Sequence, residues 1–152
     1  MSETADFWRV AMRRGMGNTE FLRALGGEVE NFEGGHGRIR LPFRPHLVGN
    51  PDTGVIHGGV ITALLDQACG MAVGSALRAP AMIATLDLRI DYMKPARPDV
   101  DLIVESECLK IAHEVAFTRG YAYQTTRDEP VAIATATFML THFDAPPAEP
   151  SR

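Results

Sequence analysis

The longest apolar run of the chain lies between Gly58 and Leu77, and its only charged residue is Asp66. A run of this length is typical of a membrane span or of a helix buried inside a protein. Burial is the better interpretation, because the run also contains Thr62 and Gln67, and because a carboxylate near the middle of a lone membrane helix costs about 3 kcal/mol. The pattern therefore predicts a long helix in the core of a protein.

Alternation of apolar and polar residues predicts strands on both sides of this helix. Before the helix, residues 28–32 and 38–43 flank a glycine-rich turn, which is a hairpin pattern. After the helix, residues 82–92 alternate from one end to the other and predict a long, half-buried strand. Further strands are predicted at residues 101–111, 114–125 and 131–143. A hairpin, a long helix and successive strands indicate an α+β fold with an antiparallel sheet.

The two ends of the chain are predicted to add short helices and a tail. Residues 6–25 fit two short helices, the second of which begins at Asn18 as its cap and ends before Gly26. The proline-rich residues 144–152 predict a disordered tail. A chain of 152 residues is expected to form one domain, which here takes in residues 1–143.

Charge and composition exclude several classes of function. The net charge is −4 and no long block of Lys or Arg occurs, which argues against nucleic acid as the main partner. Cys69 and Cys108 have no metal-ligand spacing, and no other histidine has helix-face ligand spacing to His57, so no metal site is predicted. The acidic N-terminal segment, with no apolar stretch after it, predicts a cytoplasmic protein without a membrane partner.

The start of the predicted helix carries the most informative chemistry. Gly58 and Gly59, which follow His57, leave the first helical N–H groups uncovered by side chains. These N–H groups lie at the positive end of the helix dipole, so they are suited to stabilise an oxyanion in an acyl-transfer reaction. The alternative is that the two glycines only permit close packing of the helix end.

One set of residues in and before this helix resembles a known family. The set consists of Asn50, Gly54, His57-Gly58-Gly59 and Asp66. At these spacings it is similar to the PaaI-type acyl-CoA thioesterases of the hotdog-fold superfamily. The likeness continues through residues 85–96, which are similar to the central strand of that family, and it extends from about residue 21 to residue 143. The resemblance implies a sheet wrapped around the long helix, and active sites at the interface of a homodimer that often pairs into a dimer of dimers.

The resemblance also implies how the reaction is divided between two chains. Asp66 follows Gly58 by eight residues, which is roughly 12 Å along a helix, so the two cannot reach one carbonyl from the same chain. Two helices that pack antiparallel across a two-fold axis can supply both. The Gly58 N–H, helped by Asn50, would then stabilise the oxyanion, and Asp66 of the other chain would act as general base on water or as nucleophile.

Other residues receive supporting roles from the same resemblance. Gly59 is expected to contact substrate, and His57 is expected to hold the loop by hydrogen bonds rather than to transfer protons. Lys94 and Arg97 are either solvated surface residues or a basic pair that meets the phosphates of coenzyme A. Thr85 would orient the attacking water.

The position of Thr85 raises a question of geometry. Simple alternation along the predicted strand puts Thr85 on the face opposite to Leu86 and Leu88. Either the active site lies on that other face, or a β-bulge turns Thr85 toward the helix.

The sequence therefore predicts an enzyme that hydrolyses an acyl-CoA thioester to a free acid and coenzyme A, without a metal or redox cofactor. Two alternatives remain. A hotdog enoyl-CoA hydratase or dehydratase would use a histidine with a carboxylate to move protons on the acyl group. A non-catalytic acyl-CoA sensor would be expected to lack the carboxylate at position 66, or to carry an added DNA-binding segment.

Overall fold

The secondary structure is taken from a computed structural model, which describes residues 15–79 and 81–142. The first of the short helices predicted within residues 6–25 lies almost wholly outside the described residues, and so does the tail predicted at residues 144–152. The described elements, in chain order, are α1 (Glu20–Leu25), β1 (Glu28–Glu33), β2 (His36–Leu41), a 3-10 turn (Pro45–Leu47), β3 (Val48–Asn50), β4 (Val55–Ile56), α2 (Gly58–Ala76), β5 (Ala81–Tyr92), β6 (Leu102–Ala112), β7 (Val115–Tyr123) and β8 (Ala132–His142).

Six of these strands form one antiparallel sheet in the order β1-β2-β6-β7-β8-β5. The short strands β3 and β4 pair separately as a small hairpin just before α2. The helix α2 contacts all six strands of the large sheet, which therefore wraps around it. The predicted α+β fold with an antiparallel sheet is confirmed, and β1 and β5 are left as the two edge strands.

The long helix α2 is the centre of the hydrophobic core. Its length and hydropathy would also suit a membrane span, but most of its residues between Ile61 and Gly74 are buried inside the protein. Leu64 and Leu65 are fully buried, and burial of a leucine contributes about 1.5–3 kcal/mol. The helix thus fills the concave side of the sheet, as the apolar run predicted.

Glycines let the sheet approach the middle of this helix closely. The Ser106 hydroxyl, on β6, donates to the Ala68 carbonyl over 2.6 Å. A Cβ atom on Gly37 of β2 would lie only 2.6 Å from the same carbonyl oxygen. A Cβ atom on Gly120 of β7 would lie 3.1 Å from the Cys69 sulfur. These close contacts fix the helix against the sheet near its midpoint.

The cap of the first described helix differs from the predicted one. The Thr19 hydroxyl accepts a hydrogen bond from the Leu22 N–H at 3.1 Å, so Thr19 is the cap and the prediction of Asn18 is wrong. Both residue types favour this position, and only the residue next to the first turn can reach its N–H groups. The helix does end at Gly26, whose φ of +82° favours glycine.

Strand β5 does not alternate uniformly, so the prediction of continuous alternation over residues 82–92 is wrong. Its register against β8 shifts between Thr85 and Asp87, which leaves Leu86 in a β-bulge. The bulge puts Thr85 on the helix-facing side before the extra residue, and Leu88, Ile90 and Tyr92 on that side after it.

Candidate active site

The imidazole of His57 caps the start of α2. Its Nδ1 atom accepts a hydrogen bond from the Gly59 N–H at 2.9 Å, and its backbone N–H donates to the Leu47 carbonyl over 2.8 Å. Because Nδ1 is an acceptor here, the neutral ring carries its proton on Nε2. The cap engages the second N–H of the helix, whereas the Gly58 N–H has no acceptor within residues 15–79 and 81–142. Gly58 is exposed, so this N–H is open to a ligand oxygen.

Two side chains that the sequence did not single out also meet at the helix start. The Tyr92 hydroxyl, at the end of β5, donates to the Gly58 carbonyl over 2.8 Å. The Thr62 hydroxyl lies 2.6 Å from the Tyr92 hydroxyl and 3.1 Å from the same carbonyl oxygen. Alternation over residues 88–92 puts Tyr92 on the same side of the strand as Leu88, which agrees with the pattern of the sequence. The meeting of both side chains at the Gly58 carbonyl depends on how the end of β5 packs against the first turn of α2. This tertiary contact leaves no pattern in the sequence, which is why sequence reasoning missed Tyr92 and Thr62.

Asn50 is the last residue of β3, and the turn to β4 follows it. Its side-chain oxygen accepts from the Asp52 N–H at 2.9 Å, and its carbonyl accepts from the Gly54 N–H at 2.8 Å. Gly54 has a φ of +70°, which explains the need for glycine there. The Asn50 NH₂ group has no acceptor in the part of the chain that the structure describes. The preceding residue, Gly49, packs against His57, since a Cβ there would lie 2.8 Å from the His57 Cα.

Asp66 and Thr85 form a pair within one chain. The Thr85 hydroxyl donates to Asp66 Oδ1 over 2.8 Å. Asp66 is half-buried on α2 and Thr85 is exposed on β5, so the pair lies at the surface of the monomer. Asp66 Oδ2 has no hydrogen-bond donor among the described residues, which leaves it free to accept from a water molecule. The bulge at Leu86 is what turns Thr85 toward this carboxylate.

The structure separates the predicted residues into two clusters. One cluster is at the helix start, around Gly58, and the other is the Asp66–Thr85 pair, eight residues along α2. A rise of about 1.5 Å per helical residue separates them by roughly 12 Å. One chain therefore does not bring Gly58 and Asp66 to a common carbonyl carbon.

Lys94 and Arg97 lie on the segment that follows β5. The Ile56 N–H donates to the Ala96 carbonyl over 3.1 Å, so this segment runs beside β4 and the helix start. Lys94 Nζ is 3.6 Å from a Glu129 carboxylate oxygen, and this ion pair partly neutralises the positive charge of Lys94. The side-chain amide of Gln124 accepts from the Arg97 N–H and donates to the Arg97 carbonyl, so the Arg97 backbone is held in place. The residue itself is exposed. Arg97 is the better placed of the two cations to meet an anion.

The edge strand β5 leaves several large apolar side chains exposed. Met82 is 61% exposed, Leu86 is 53% exposed and Tyr92 is 51% exposed. The strand runs over 12 residues and pairs with β8 on one side only. An edge of this length is a template for pairing with another strand.

Neither thiol is suited to act as a nucleophile, and no metal site is visible in the described part. Burial raises the pKa of the Cys69 thiol to about 11, so this thiol is neutral at physiological pH. Burial also raises the pKa of Cys108. Within residues 15–79 and 81–142, no three His, Cys, Asp or Glu side chains gather as metal ligands.

Sequence comparisons relate this chain to known proteins. The model of the thioesterase superfamily matches residues 53–131, which include Asp66 and Thr85 but not Asn50. The medium/long-chain acyl-CoA thioesterase YigI of Escherichia coli K12 is 34% identical over 133 residues, which cover 79% of this chain and 84% of YigI. A relative from Halobacterium salinarum is 39% identical over 97 residues, and the match spans 63% of that relative's length.

Solved structures give the same relation. A crystal structure of a Pseudomonas aeruginosa protein is 39% identical, with a TM-score of 0.75 over 87% of this chain and 98% of that one. The phenylacetic acid degradation protein PaaI of Thermus thermophilus, in a mutant form, is 25% identical, with a TM-score of 0.69 over 80% of this chain and 98% of that one. The likeness thus extends through both the sheet and the central helix.

Proposed function

The chain belongs to the thioesterase superfamily, a family of thioester hydrolases with the hotdog fold, and we propose that it hydrolyses acyl-CoA to a free carboxylic acid and coenzyme A. The observation that carries this proposal is the hydrogen bond of 2.8 Å from Thr85 to Asp66. It orients a half-buried carboxylate and leaves Oδ2 open to water. A carboxylate so placed is suited to general-base catalysis.

The reaction proceeds by attack of water on the thioester carbonyl carbon. Asp66 removes a proton from the water as its oxygen bonds to that carbon. The negative charge that forms on the carbonyl oxygen is stabilised by the Gly58 N–H and by the Asn50 NH₂ group. The C–S bond then breaks, the protonated Asp66 returns its proton to the leaving sulfur, and the acid and the thiol of coenzyme A are released. In the alternative form, Asp66 attacks the carbonyl carbon itself, and the C–S bond breaks to give a mixed anhydride and the thiolate of coenzyme A. Water then hydrolyses the anhydride to the free acid and protonated Asp66, which passes its proton to the thiolate.

Each active site is proposed to combine two chains. The separation of roughly 12 Å between Gly58 and Asp66 on one helix supports this arrangement, since both must act on one carbonyl. Pairing of β5 with β5 of a second copy would bury the exposed Met82 and Leu86 and would complete a continuous sheet. The dimers are proposed to associate further into a dimer of dimers.

The proposed substrate carries a medium or long acyl chain, following the name of the Escherichia coli relative. Arg97 is proposed to meet the phosphates of coenzyme A, with a smaller contribution from Lys94 because of its contact with Glu129. Hydrolysis is redox-neutral, and the proposed steps use only water and the side chains named here, so no cofactor is invoked. A cytoplasmic location stays a prediction from the sequence.

The test is release of free thiol from a panel of aryl-, short-, medium- and long-chain acyl-CoA thioesters, followed with a thiol-reactive dye. We expect turnover of at least one substrate, with medium or long chains preferred. The variant Cys108→Ser serves as a control for dye reaction with the protein, because Cys108 is only half-buried whereas Cys69 is fully buried. If no substrate releases thiol while an enoyl-CoA is hydrated, the hydratase alternative replaces this proposal. If acyl-CoA binds without either reaction, the sensor alternative replaces it.

A further inference from the structure

The peptide unit that joins Gly58 to Gly59 is held at both of its polar ends. Its N–H donates to His57 Nδ1 over 2.9 Å, and its carbonyl accepts from the Tyr92 hydroxyl over 2.8 Å. The preceding peptide unit is fixed too, because the Val60 N–H donates to the His57 carbonyl over 2.9 Å. Of the N–H groups contributed by the two glycines, only that of Gly58 is left without a partner in the described part of the chain.

We propose that Tyr92 is a positioning residue for the oxyanion site. Together with Thr62 it anchors the carbonyl end of the Gly58–Gly59 peptide, while His57 anchors the N–H end. The Gly58 N–H belongs to the adjoining His57–Gly58 peptide, which Val60 holds, so fixing the peptide units on both sides of the Gly58 Cα aims this N–H at the substrate. This inference rests on the proposed thioesterase function, because it assigns a role to the donor that the proposed reaction uses.

Two successive glycines explain why such anchoring is needed. Glycine has the widest backbone freedom of all residues, and Gly58 and Gly59 stand where a helix has no preceding turn to restrain them. An oxyanion donor stabilises a transition state only when its direction is set in advance. A side chain in place of Gly59 would disturb the anchor, since its Cβ would lie 2.9 Å from His57 Nδ1. The glycines thus keep the N–H uncovered, and the surrounding side chains supply the rigidity that glycine lacks.

The hydroxyls of Tyr92 and Thr62 form a hydrogen-bond relay to the Gly58 carbonyl, in which either hydroxyl can replace the other as the donor. Two hydroxyl protons serve three contacts, of which the shortest, at 2.6 Å, joins the two hydroxyls. Two protons can satisfy two of these contacts, and the two shortest are satisfied when Thr62 donates to Tyr92 and Tyr92 donates to the Gly58 carbonyl. Each bond in such a chain strengthens the next. Thr62 also lies 3.1 Å from that carbonyl, so it can donate directly when the Tyr92 hydroxyl is absent. Because the Tyr92 proton is committed to a backbone carbonyl, Tyr92 acts through Gly58 rather than on the substrate.

The relay predicts an unusual pattern in a double-mutant cycle. Tyr92→Phe and Thr62→Val, which each keep the shape of the side chain, are expected to lower kcat by about 3-fold each, because the remaining hydroxyl still reaches the carbonyl. The double variant is expected to lose about 30-fold, well beyond the product of the two. KM for the acyl-CoA is expected to change by less than about 2-fold, since the donor acts mainly in the transition state. Thr62→Ser, which restores the hydroxyl, is expected to recover kcat relative to Thr62→Val.

A matched control and a second measurement separate positioning from stability. Tyr121→Phe is the control, because Tyr121 lies on the face of the sheet away from α2, where Arg127 stacks on its ring at 4.0 Å, and it should leave kcat unchanged. Amide hydrogen exchange followed by NMR should show faster exchange of the Gly59 N–H in the double variant, with protection of the core strands unchanged. A double variant that keeps wild-type kcat, or one in which Gly59 exchange is unaltered, would overturn the role of Tyr92.

This pair of readouts also distinguishes the inference from the proposed function. Hydrogen exchange reports on the anchored peptide whether or not the protein hydrolyses thioesters. If thiol release is absent from the wild type but Gly59 exchange responds as expected, the proposed function fails and the anchor stands. If the wild type hydrolyses thioesters and the double variant matches it, the function stands and the positioning role of Tyr92 fails.

Discussion

Asp66→Asn is expected to lower kcat for thioester hydrolysis by about 10²-fold or more, the scale of a lost general base. The substitution is nearly isosteric, and the amide oxygen can still accept the hydrogen bond of 2.8 Å from Thr85. What it removes is the basic oxygen that takes the proton from water. The fold should be unaffected, because Asp66 is only half-buried and makes no ion pair among the described residues. Steady-state thiol release, together with a thermal melt of each variant, measures both expectations.

The matched control for this change is Asp128→Asn. Asp128 lies in the exposed turn between β7 and β8, far along the chain from both clusters, and the chemical change is the same. It should leave kcat within about 2-fold of the wild type, as is usual for a surface substitution. An Asp66→Asn enzyme that keeps more than about a tenth of wild-type kcat would contradict the assignment of Asp66, since general bases contribute about 10²–10⁴-fold.

Gly37→Ala is expected to destabilise the fold by about 2–3 kcal/mol, the upper part of the range for overpacked cores. The added Cβ would stand 2.6 Å from the Ala68 carbonyl oxygen and 2.9 Å from the Ser106 hydroxyl oxygen. Neither atom can move aside easily, because the two are joined by a hydrogen bond of 2.6 Å and the carbonyl belongs to the helix backbone. The helix must therefore shift. Asp66, two residues before Ala68, would shift with it, so activity should fall as well.

Urea denaturation measures this loss, and Gly70→Ala is the control for it. Both glycines are buried between helix and sheet, but a Cβ on Gly70 would meet only side-chain atoms at 3.4 Å and 3.6 Å, which are nearly ordinary contacts. Because alanine also favours a helix over glycine by about 1 kcal/mol, Gly70→Ala should be neutral or stabilising. Equal midpoints for Gly37→Ala and the wild type would contradict the close approach of β2 to α2.

Long periodic patterns made much of the fold predictable. The helix was expected at residues 58–77 and lies at Gly58–Ala76. Both ends of β6, β7 and β8 lie within two residues of the predicted ends. The hotdog fold and the thioesterase family, implied by the resemblance of the residues around His57 and Asp66 to that family, are confirmed by the family match and the solved structures. Strong periodicity predicts these elements well, because folding buries the apolar faces of the helix and the strands and the periodic pattern is what creates those faces.

Short-range geometry was less accessible from the sequence. The β3–β4 hairpin is built from strands of three and two residues, too short to show alternation. The bulge at Leu86 changes the phase of β5 without any residue that marks it, and with it changes which side chains face the helix. That change of phase settles that Thr85 faces Asp66, whereas the packing of the end of β5 on α2 brings Tyr92 to Gly58. The roles of these residues in catalysis stay predictions, because they depend on a second chain.

The central claim is that one active site takes its oxyanion donors from one chain and Asp66 from the other. This claim can be tested by combining two different inactive variants in one dimer. Asn50→Asp keeps the side-chain oxygen that accepts from the Asp52 N–H, but it replaces the NH₂ donor by a carboxylate that repels the oxyanion. Asp66→Asn removes the base. In a dimer with one chain of each kind, one site has both groups in their native form and the other site has neither.

The deciding measurement is the thiol-release rate of this hybrid dimer, made by co-expression of the two variants with different affinity tags and purified through both tags. Each parent homodimer should be nearly inactive. Each hybrid dimer should recover about half of the wild-type activity, because a two-fold dimer has two equivalent sites and one of them is restored. In a dimer of dimers, the doubly tagged fraction also contains pairs of parent homodimers, so its mean activity should lie below this value but well above that of either parent. A hybrid no more active than its parents would contradict the shared site and would place Asn50 and Asp66 in separate or unrelated roles.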